Sequence, residues 1–385
     1  MYFKVLSQSL VLLLGFFNPF VAIIAQNPKL EQISAADGLS QGMIYDLLQD
    51  NKGYIWFSTR DGLNRYDGYY CRVYQNNPFD PFSLSDNEAQ VIREDKLGRI
   101  WVGTVNNGLS VFDPTTGKFH HIRNLPSQNV NAIFEGPDGE MWIGTNNGLC
   151  KIRVPDSLAP HKADLIDVCQ VETITLEQVK DQQKTTVTSI RDLLVAPDGK
   201  IWVATKNQFG YYNPQNKSYT AKFDFDGIHN GKNGSAYFRL GPDQSIWVCL
   251  PGRLMRYKGD LVSIYQLPMS SIFPRTDCVF DPHGNLFVST RKQIFKLPAN
   301  CVDRADHPGF ELFYEFPSIG IAGSTKMMFD QGGLLWIGTN GYGALKHNPG
   351  NPFFKHYAKG RSPRRIFTDN QNHVWAFLEG GLFGK

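Results

Sequence analysis

One pattern recurs along this 385-residue chain and leaves it few folds to choose from: an acid, a tight turn, a tryptophan, then a threonine after a small residue. Its clearest copy is Asp50-Asn-Lys-Gly-Tyr-Ile-Trp-Phe-Ser-Thr59. Aligned on the aromatic residue, the copies centre on Trp56, Trp101, Trp142, Trp202, Trp247, Phe287, Trp336 and Trp375, so all seven tryptophans are repeat anchors. The intervals run from 39 to 60 residues. That is close to the period of a four-stranded propeller blade and too long for leucine-rich or ankyrin units.

Each part of the repeat has a physical task. An apolar segment precedes every anchor, such as Met43 to Leu48, Val130 to Phe134 or Val187 to Val195, and reads as a strand buried on both faces. Turns such as Asp50 to Gly53, Asp95 to Gly98 and Asp330 to Gly333 follow, with Asp opening the reversal and Gly accepting positive φ. The returning strand holds the aromatic anchor and, two places on, a small residue: Ser58, Gly103, Gly144, Ala204, Cys249, Ser289 or Gly338. Wedge-shaped blades crowd near a central axis, where a small side chain beside a large one lets sheets interdigitate. A second turn (Asp61-Gly62, Asn107-Gly108, Asn147-Gly148) leads to a third strand, and an outer strand such as Phe119 to Ile122 or Phe353 to Tyr357 ends the unit.

These features predict an all-β fold, a β-propeller of four-stranded blades. The preferred arrangement is a seven-bladed ring within 26–358, ending near Tyr357, with an eighth partial repeat at 359–385 that opens a second propeller. In that repeat Asn372 replaces the turn glycine and Phe377-Leu378 replaces the small residue and threonine. The alternative is an eight-bladed ring sealed by Leu30 to Ser34. Closure removes exposed sheet edges, so the partner of that segment decides.

Residues 1–25 combine a charged start, an apolar run from Val5 and a small-residue end at Ala25, and read as a secretory signal peptide. The remainder is then expected in the periplasm, with no membrane contact. A net charge of +3 without any run of five like charges argues against nucleic-acid binding. The six cysteines share no spacing framework; packed thiols are expected. Val154 to Thr186 and Asn300 to Pro308 interrupt the rhythm as insertions.

No catalytic, metal or cofactor motif emerges. Gly38-Leu-Ser-Gln-Gly42 matches a nucleophile-elbow pattern, yet a β repeat follows where that motif needs a helix under a parallel sheet. Leu39-Ser40 also aligns with Leu84-Ser85, each serine sixteen residues before its tryptophan, so both belong to inter-blade connections. The loops between second and third strands offer a better candidate. They converge at one end of the channel and carry Arg60, Asn107, Asn147, Lys206, Arg253, Arg291 and Tyr342. Asn before Gly also serves the turn itself, whereas basic residues have no turn-forming reason to be there and favour an acidic partner.

The segments DNKGYIWFSTRDGLNRYDG, DKLGRIWVGTVNNGLSVFDP and PDGEMWIGTNNGL, with Ala36-Asp-Gly-Leu-Ser-Gln41 before them, resemble the two-component regulator propeller repeat. That family builds the periplasmic sensor of bacterial hybrid two-component histidine kinases. The resemblance spans nearly all of Leu30 to Lys385 and is looser at Phe287 and Trp375. It implies a ligand-sensing propeller that binds an oligosaccharide or acidic glycan and signals to a histidine kinase on a longer relative or continuation. A weaker resemblance is to propeller lyases acting on streptogramin antibiotics. A propeller lyase or glycosidase, or a docking scaffold or truncated remnant, are the other readings.

Overall fold

The computed structural model describes residues 28, 30–180, 183–225, 236–268, 276–290, 292–306, 308–316, 322–348, 363–368, 374–378 and 381–384. Seven four-stranded antiparallel sheets form the blades of one closed ring. Their inner strands are Ile44–Gln49, Ala89–Glu94, Val130–Glu135, Ile190–Val195, Tyr237–Leu240, Asp277–Phe280 and Ala322–Phe329. Each touches the next, and the seventh returns to the first. In blades one to six, four strands consecutive in the chain lie side by side.

The seventh blade decides the blade count. Its strands Ala322–Phe329, Leu335–Asn340 and Ala344–His347 take their outer partner from the start of the chain: Glu31 pairs with Lys346, Gln32 with Leu345 and Ile33 with Ala344. The ring is therefore seven-bladed, as preferred, and the eight-bladed alternative is excluded because Glu31–Ile33 bonds Ala344–His347 and not Gly381–Gly384. The outer-strand position of this blade, which the repeat pattern assigned to Phe353 to Tyr357, is held by Glu31–Ile33; residues 353–357 lie outside the described residues. Closure by Glu31–Ile33 ties the segment that leads into the first blade to the seventh, and covers the outer edge of Ala344–His347. Pro363–Thr368, Val374–Leu378 and Gly381–Gly384 form a separate three-stranded sheet.

The repeat chemistry explains itself in the blades. The turn acid caps its own hairpin and also accepts from the anchor indole: Trp56, Trp101 and Trp336 each donate Nε1 to Asp50, Asp95 and Asp330 at 2.8 Å. The other oxygen of Asp50 accepts the Lys52 and Tyr54 amides at 3.0 and 2.9 Å. Where the anchor is Phe287, which has no donor, Asn285 Nδ2 takes the place of the indole on Asp281 at 2.7 Å. The recurring threonine closes the second hairpin. Thr59, Thr104, Thr145 and Thr205 donate to the carbonyls of Gly62, Gly108, Gly148 and Gln208 at 2.9 to 3.0 Å. The small slot is a packing requirement: a Cβ on Gly144 would meet Ile190 Cγ2 of the next blade at 2.6 Å, and one on Gly338 would meet Ile44 Cγ2 at 2.9 Å.

The long insertion has two parts. Residues 154–169 fold back over blade two, where the Leu165 amide donates to the His121 carbonyl at 2.9 Å. Gln170–Ile174 is then the outer strand of blade three, and Leu176–Lys180 pairs with Gln183–Val187 as an extra hairpin. All six cysteines are free thiols, and Cys150, Cys169, Cys249 and Cys278 are buried.

Candidate functional site

A cavity of about 620 Å³ opens where the inner strands begin, at the mouth of the central channel. A recurrent irregularity builds it. In blades one to four the register against the second strand shifts between Ile44 and Asp46, Ala89 and Val91, Val130 and Ala132, and Ile190 and Asp192. The skipped residues are Tyr45, Gln90, Asn131 and Arg191, and all four line the cavity. A bulge leaves its extra residue out of the ladder and re-aims the side chain. Here it turns four positions of buried strand into a polar rim. Val105 and Lys206 join the lining from the second turns of blades two and four, directly after Thr104 and Thr205.

The rim is partly wired together. Gln90 Nε2 donates to Asn131 Oδ1 at 2.8 Å, Asn131 Nδ2 to the Ile190 carbonyl at 2.8 Å, and the Tyr45 hydroxyl to Glu88 at 2.7 Å. Beneath it lies a belt of charge. Asp46, Asp192 and Asp277 each accept a backbone amide from the next blade, those of Ile92, Phe238 and Met327, at 3.2, 2.7 and 2.9 Å. Arg93 Nη1 lies 3.0 Å from Asp46, Lys326 Nζ 3.6 Å from Asp46, and Arg239 pairs with Asp277. Burial would raise the Asp46 carboxyl, but Lys326, Arg93 and the two backbone amides together hold it below its ordinary value. Burial, with Arg239 nearby, pushes the Lys326 ammonium down. Below the belt a second cavity of about 330 Å³ shares Arg93, Asp192 and Lys326 but is otherwise lined mainly by apolar groups such as Phe134, Leu194, Phe238 and Phe280.

Two cations at the mouth stand apart from this pairing. Arg191 and Lys206 have no hydrogen-bond or ion-pair partner among the described residues, and Lys206 is exposed. The cavity lining thus combines two uncommitted positive groups, amides and two tyrosines, Tyr45 and Tyr237, with three carboxylates, Asp46, Glu88 and Asp192, that are each engaged by a neighbouring donor, so the free charge suits an anionic, polyhydroxylated ligand.

Of the residues singled out from sequence, Lys206 lines this cavity. Arg60 is exposed at its turn, and Arg253 lies over the Phe223 ring at 5.6 Å. Asn107 and Asn147 serve their turns: their amides donate to Thr104 and Thr145 Oγ1 at 3.1 Å, and their side chains to the carbonyls of Ser85 and Pro126. Tyr342 donates its backbone amide to Thr339 Oγ1 at 3.0 Å and accepts from Gln32 through its carbonyl. None of these five is among the described lining of the mouth. Arg291 lies outside the described residues. Tyr45, Gln90, Asn131 and Arg191 escaped the sequence reading because each sits inside a segment read as a strand buried on both faces. Their signal was a non-aliphatic residue directly after the first, apolar residue of the strand.

One buried cluster has the composition of a catalytic relay. Ser85 and Ser110 hydroxyls lie 2.8 Å apart, Ser110 Oγ is 3.2 Å from His121 Nδ1, and His121 Nε2 is 3.0 Å from the Pro81 carbonyl. A carbonyl can only accept, so Nε2 carries the proton. Burial, with Arg123 nearby, pushes the imidazole down to about 4. The cluster pins the 76–88 connection to blade two. Ser40 plays the matching part in blade one, accepting from Asn64 Nδ2 at 2.8 Å.

Fold and mouth define a seven-bladed propeller with a polar cavity at one end of the channel. The model of the two-component regulator propeller matches three segments of the chain, residues 38–61, 83–106 and 124–147. The chain is 30% identical over 240 residues to histidine kinase P4 of Formosa agariphila, a match that covers 49% of this chain and 17% of that protein. Among solved structures it resembles the extracellular domain of the BT3049 hybrid two component system from B. thetaiotaomicron, with a TM-score of 0.64, 18% identity and coverage of 93% of this chain and 49% of that one. A streptogramin B lyase superposes with a TM-score of 0.60 at 15% identity, covering 84% of this chain and 98% of the lyase. At such identities these two structures share the fold. The chain spans about half the length of that extracellular domain and less than a fifth of the kinase.

Proposed function

We propose that this chain is the extracytoplasmic ligand-sensing propeller of a two-component system, taking an acidic glycan or oligosaccharide at the channel mouth and signalling to a histidine kinase outside this sequence. The observation that carries the reading is the pair Arg191 and Lys206, left without partners in a polar cavity of about 620 Å³. Its context comes from the family repeats and from the kinase to which the chain is similar. Export of 26–385 after loss of 1–25, and the start of a second propeller at 359–385, belong to the same reading. Calorimetric titration with a panel of acidic and neutral oligosaccharides tests it. An acidic member should bind, and Arg191→Ala with Lys206→Ala should weaken it about a hundredfold, each lost charged contact being worth about 1.5 kcal/mol. Equal affinity in the double variant would move the site elsewhere. Removing charge at Arg60 and Arg253 tests whether the outer rim also contributes.

The similarity to a streptogramin B lyase favours a second reading, a propeller lyase. Its acid–base groups would be Glu88 and the tyrosines of the mouth, since no histidine is among the described lining. Mass analysis of the titrated oligosaccharides decides it: an unsaturated product would establish the lyase.

A further inference from the structure

The extra hairpin of the insertion lies beside the mouth, and its position is fixed. Leu176 and Val187, at its base, are 1% and 7% exposed and pack in one core with Ile174, Ile190 and Val203. Gln208 Nε2 donates to Gln178 Oε1, which joins the hairpin to the second turn of blade four. Between hairpin and turn sits a third cavity, of about 350 Å³. Its lining is hydroxyl and amide, with Gln178, Thr185, Thr186, Ser189 and Asn207 facing it, and it has no aromatic group.

This cavity adjoins the mouth. Lys206 lines both, and Ser189, which lines the outer one, is two residues from Arg191, which lines the inner one. Ser189 holds φ 51, a left-handed conformation that an L-residue other than glycine adopts at a cost, and it marks the corner between the hairpin and the inner strand. The two cavities differ in chemistry. Arg191 is on the mouth side only; apart from the shared Lys206, the outer cavity offers neutral donors and acceptors and a single carboxylate, Asp224.

We propose that the strands Leu176–Lys180 and Gln183–Val187 build an outer subsite, so that the ligand is an oligosaccharide with its acidic unit between Arg191 and Lys206 and a neutral sugar unit over Gln178 and Thr186. This rests on the mouth reading above. It assigns the insertion a role in reading ligand length and in selecting a neutral neighbour beside the charged unit. Hydroxyl-rich ligands match such linings because each sugar hydroxyl can both donate and accept.

The test uses the full chain and two probe series, hyaluronan oligosaccharides, which alternate uronic acid with a neutral amino sugar, and oligogalacturonides, which are acidic throughout. Both are titrated as the single uronic acid and at two units. The expected result is that the hyaluronan disaccharide binds about tenfold more tightly than glucuronic acid alone, with less gain for the galacturonide series. Gln178→Ala with Thr186→Ala should remove that gain, about tenfold for two neutral hydrogen bonds, and leave the affinity for glucuronic acid unchanged. Thr186→Trp, which fills the outer cavity, is a second variant with the same expectation. Equal affinity for one and two units, unaffected by either variant, overturns the outer subsite while the mouth reading stands. Failure of every acidic probe to bind overturns the mouth reading and the subsite with it.

Discussion

Blade six shows how the ring tolerates an anchor without an indole, and that compensation can be transplanted. At Trp336 the indole donates to Asp330 Oδ2 at 2.8 Å, and the ring is 3% exposed against Phe57 and Tyr66 of blade one, with centroids 6.0 Å away in each case. Trp336→Phe removes a hydrogen bond to a charged acceptor, about 1.5–3 kcal/mol, and several buried ring atoms, about 1 kcal/mol more. In blade six Asn285 stands four residues after Asp281 and donates where the indole would. The matching position in blade seven is Leu334, whose amide already donates to Asp330 Oδ1 at 2.8 Å. Leu334→Asn with Trp336→Phe should therefore recover about 1–2 kcal/mol relative to the sum of the single changes. Urea unfolding of the four proteins of this cycle, followed by far-ultraviolet circular dichroism, measures the coupling. Additivity within about 0.5 kcal/mol would refute the view that the indole serves the turn acid as a donor, leaving packing as its sole role.

Other outcomes follow from closure, packing and charge. Gly343 has φ +77 and a Cβ there would meet the Ile33 carbonyl oxygen at 2.0 Å, so Gly343→Val should displace the closing strand and lower the thermal midpoint, with Glu31–Ile33 amides exchanging faster in hydrogen-exchange mass spectrometry. Trp142, 5% exposed, should cost about 3–5 kcal/mol when changed to Ala; an unchanged urea midpoint would show that it is no anchor. Burial pushes the Cys150 and Cys169 thiols up to about 12, so at pH 8 iodoacetamide should label them only after unfolding, as counted by mass spectrometry. The Asp46 carboxyl lies below its unfolded value near 3.9, so its contribution is complete above about pH 5 and lost as pH falls through the folded value. For Lys326 the folded value lies below the unfolded one near 10.4, so the unfolded chain holds more protons between them and stability rises with pH in that window. Urea midpoints against pH should show both slopes, the first absent in Asp46→Asn and the second in Lys326→Met.

The fold was legible because its signals are local. An acid opening a turn, an indole that reaches that acid, a threonine that closes the next turn and a glycine with no room for a Cβ all act within a dozen residues or between neighbouring sheets. Closure was only half legible: Leu30 to Ser34 reads as a strand without a partner, and its partner Ala344–His347 lies more than three hundred residues away. The mouth was least legible, for a definite reason. A turn residue such as Asn107 advertises itself by its neighbours, yet its bonds serve the turn. Tyr45, Gln90, Asn131 and Arg191 reach the channel through a one-residue bulge, and a bulge reverses the face that strict alternation assigns. The small slot and the bulge are linked: Gly144 leaves room for Ile190, the residue immediately before the shift, and the same holds for Gly338 and Ile44. The packing that seats one blade on the next therefore fixes where the ladder slips, and with it which side chain lines the mouth. Sequence change at Arg191 can alter that lining while the ring stays closed, because the bulge takes the residue out of the ladder, whereas Asn131 also ties its blade to the next through the Ile190 carbonyl.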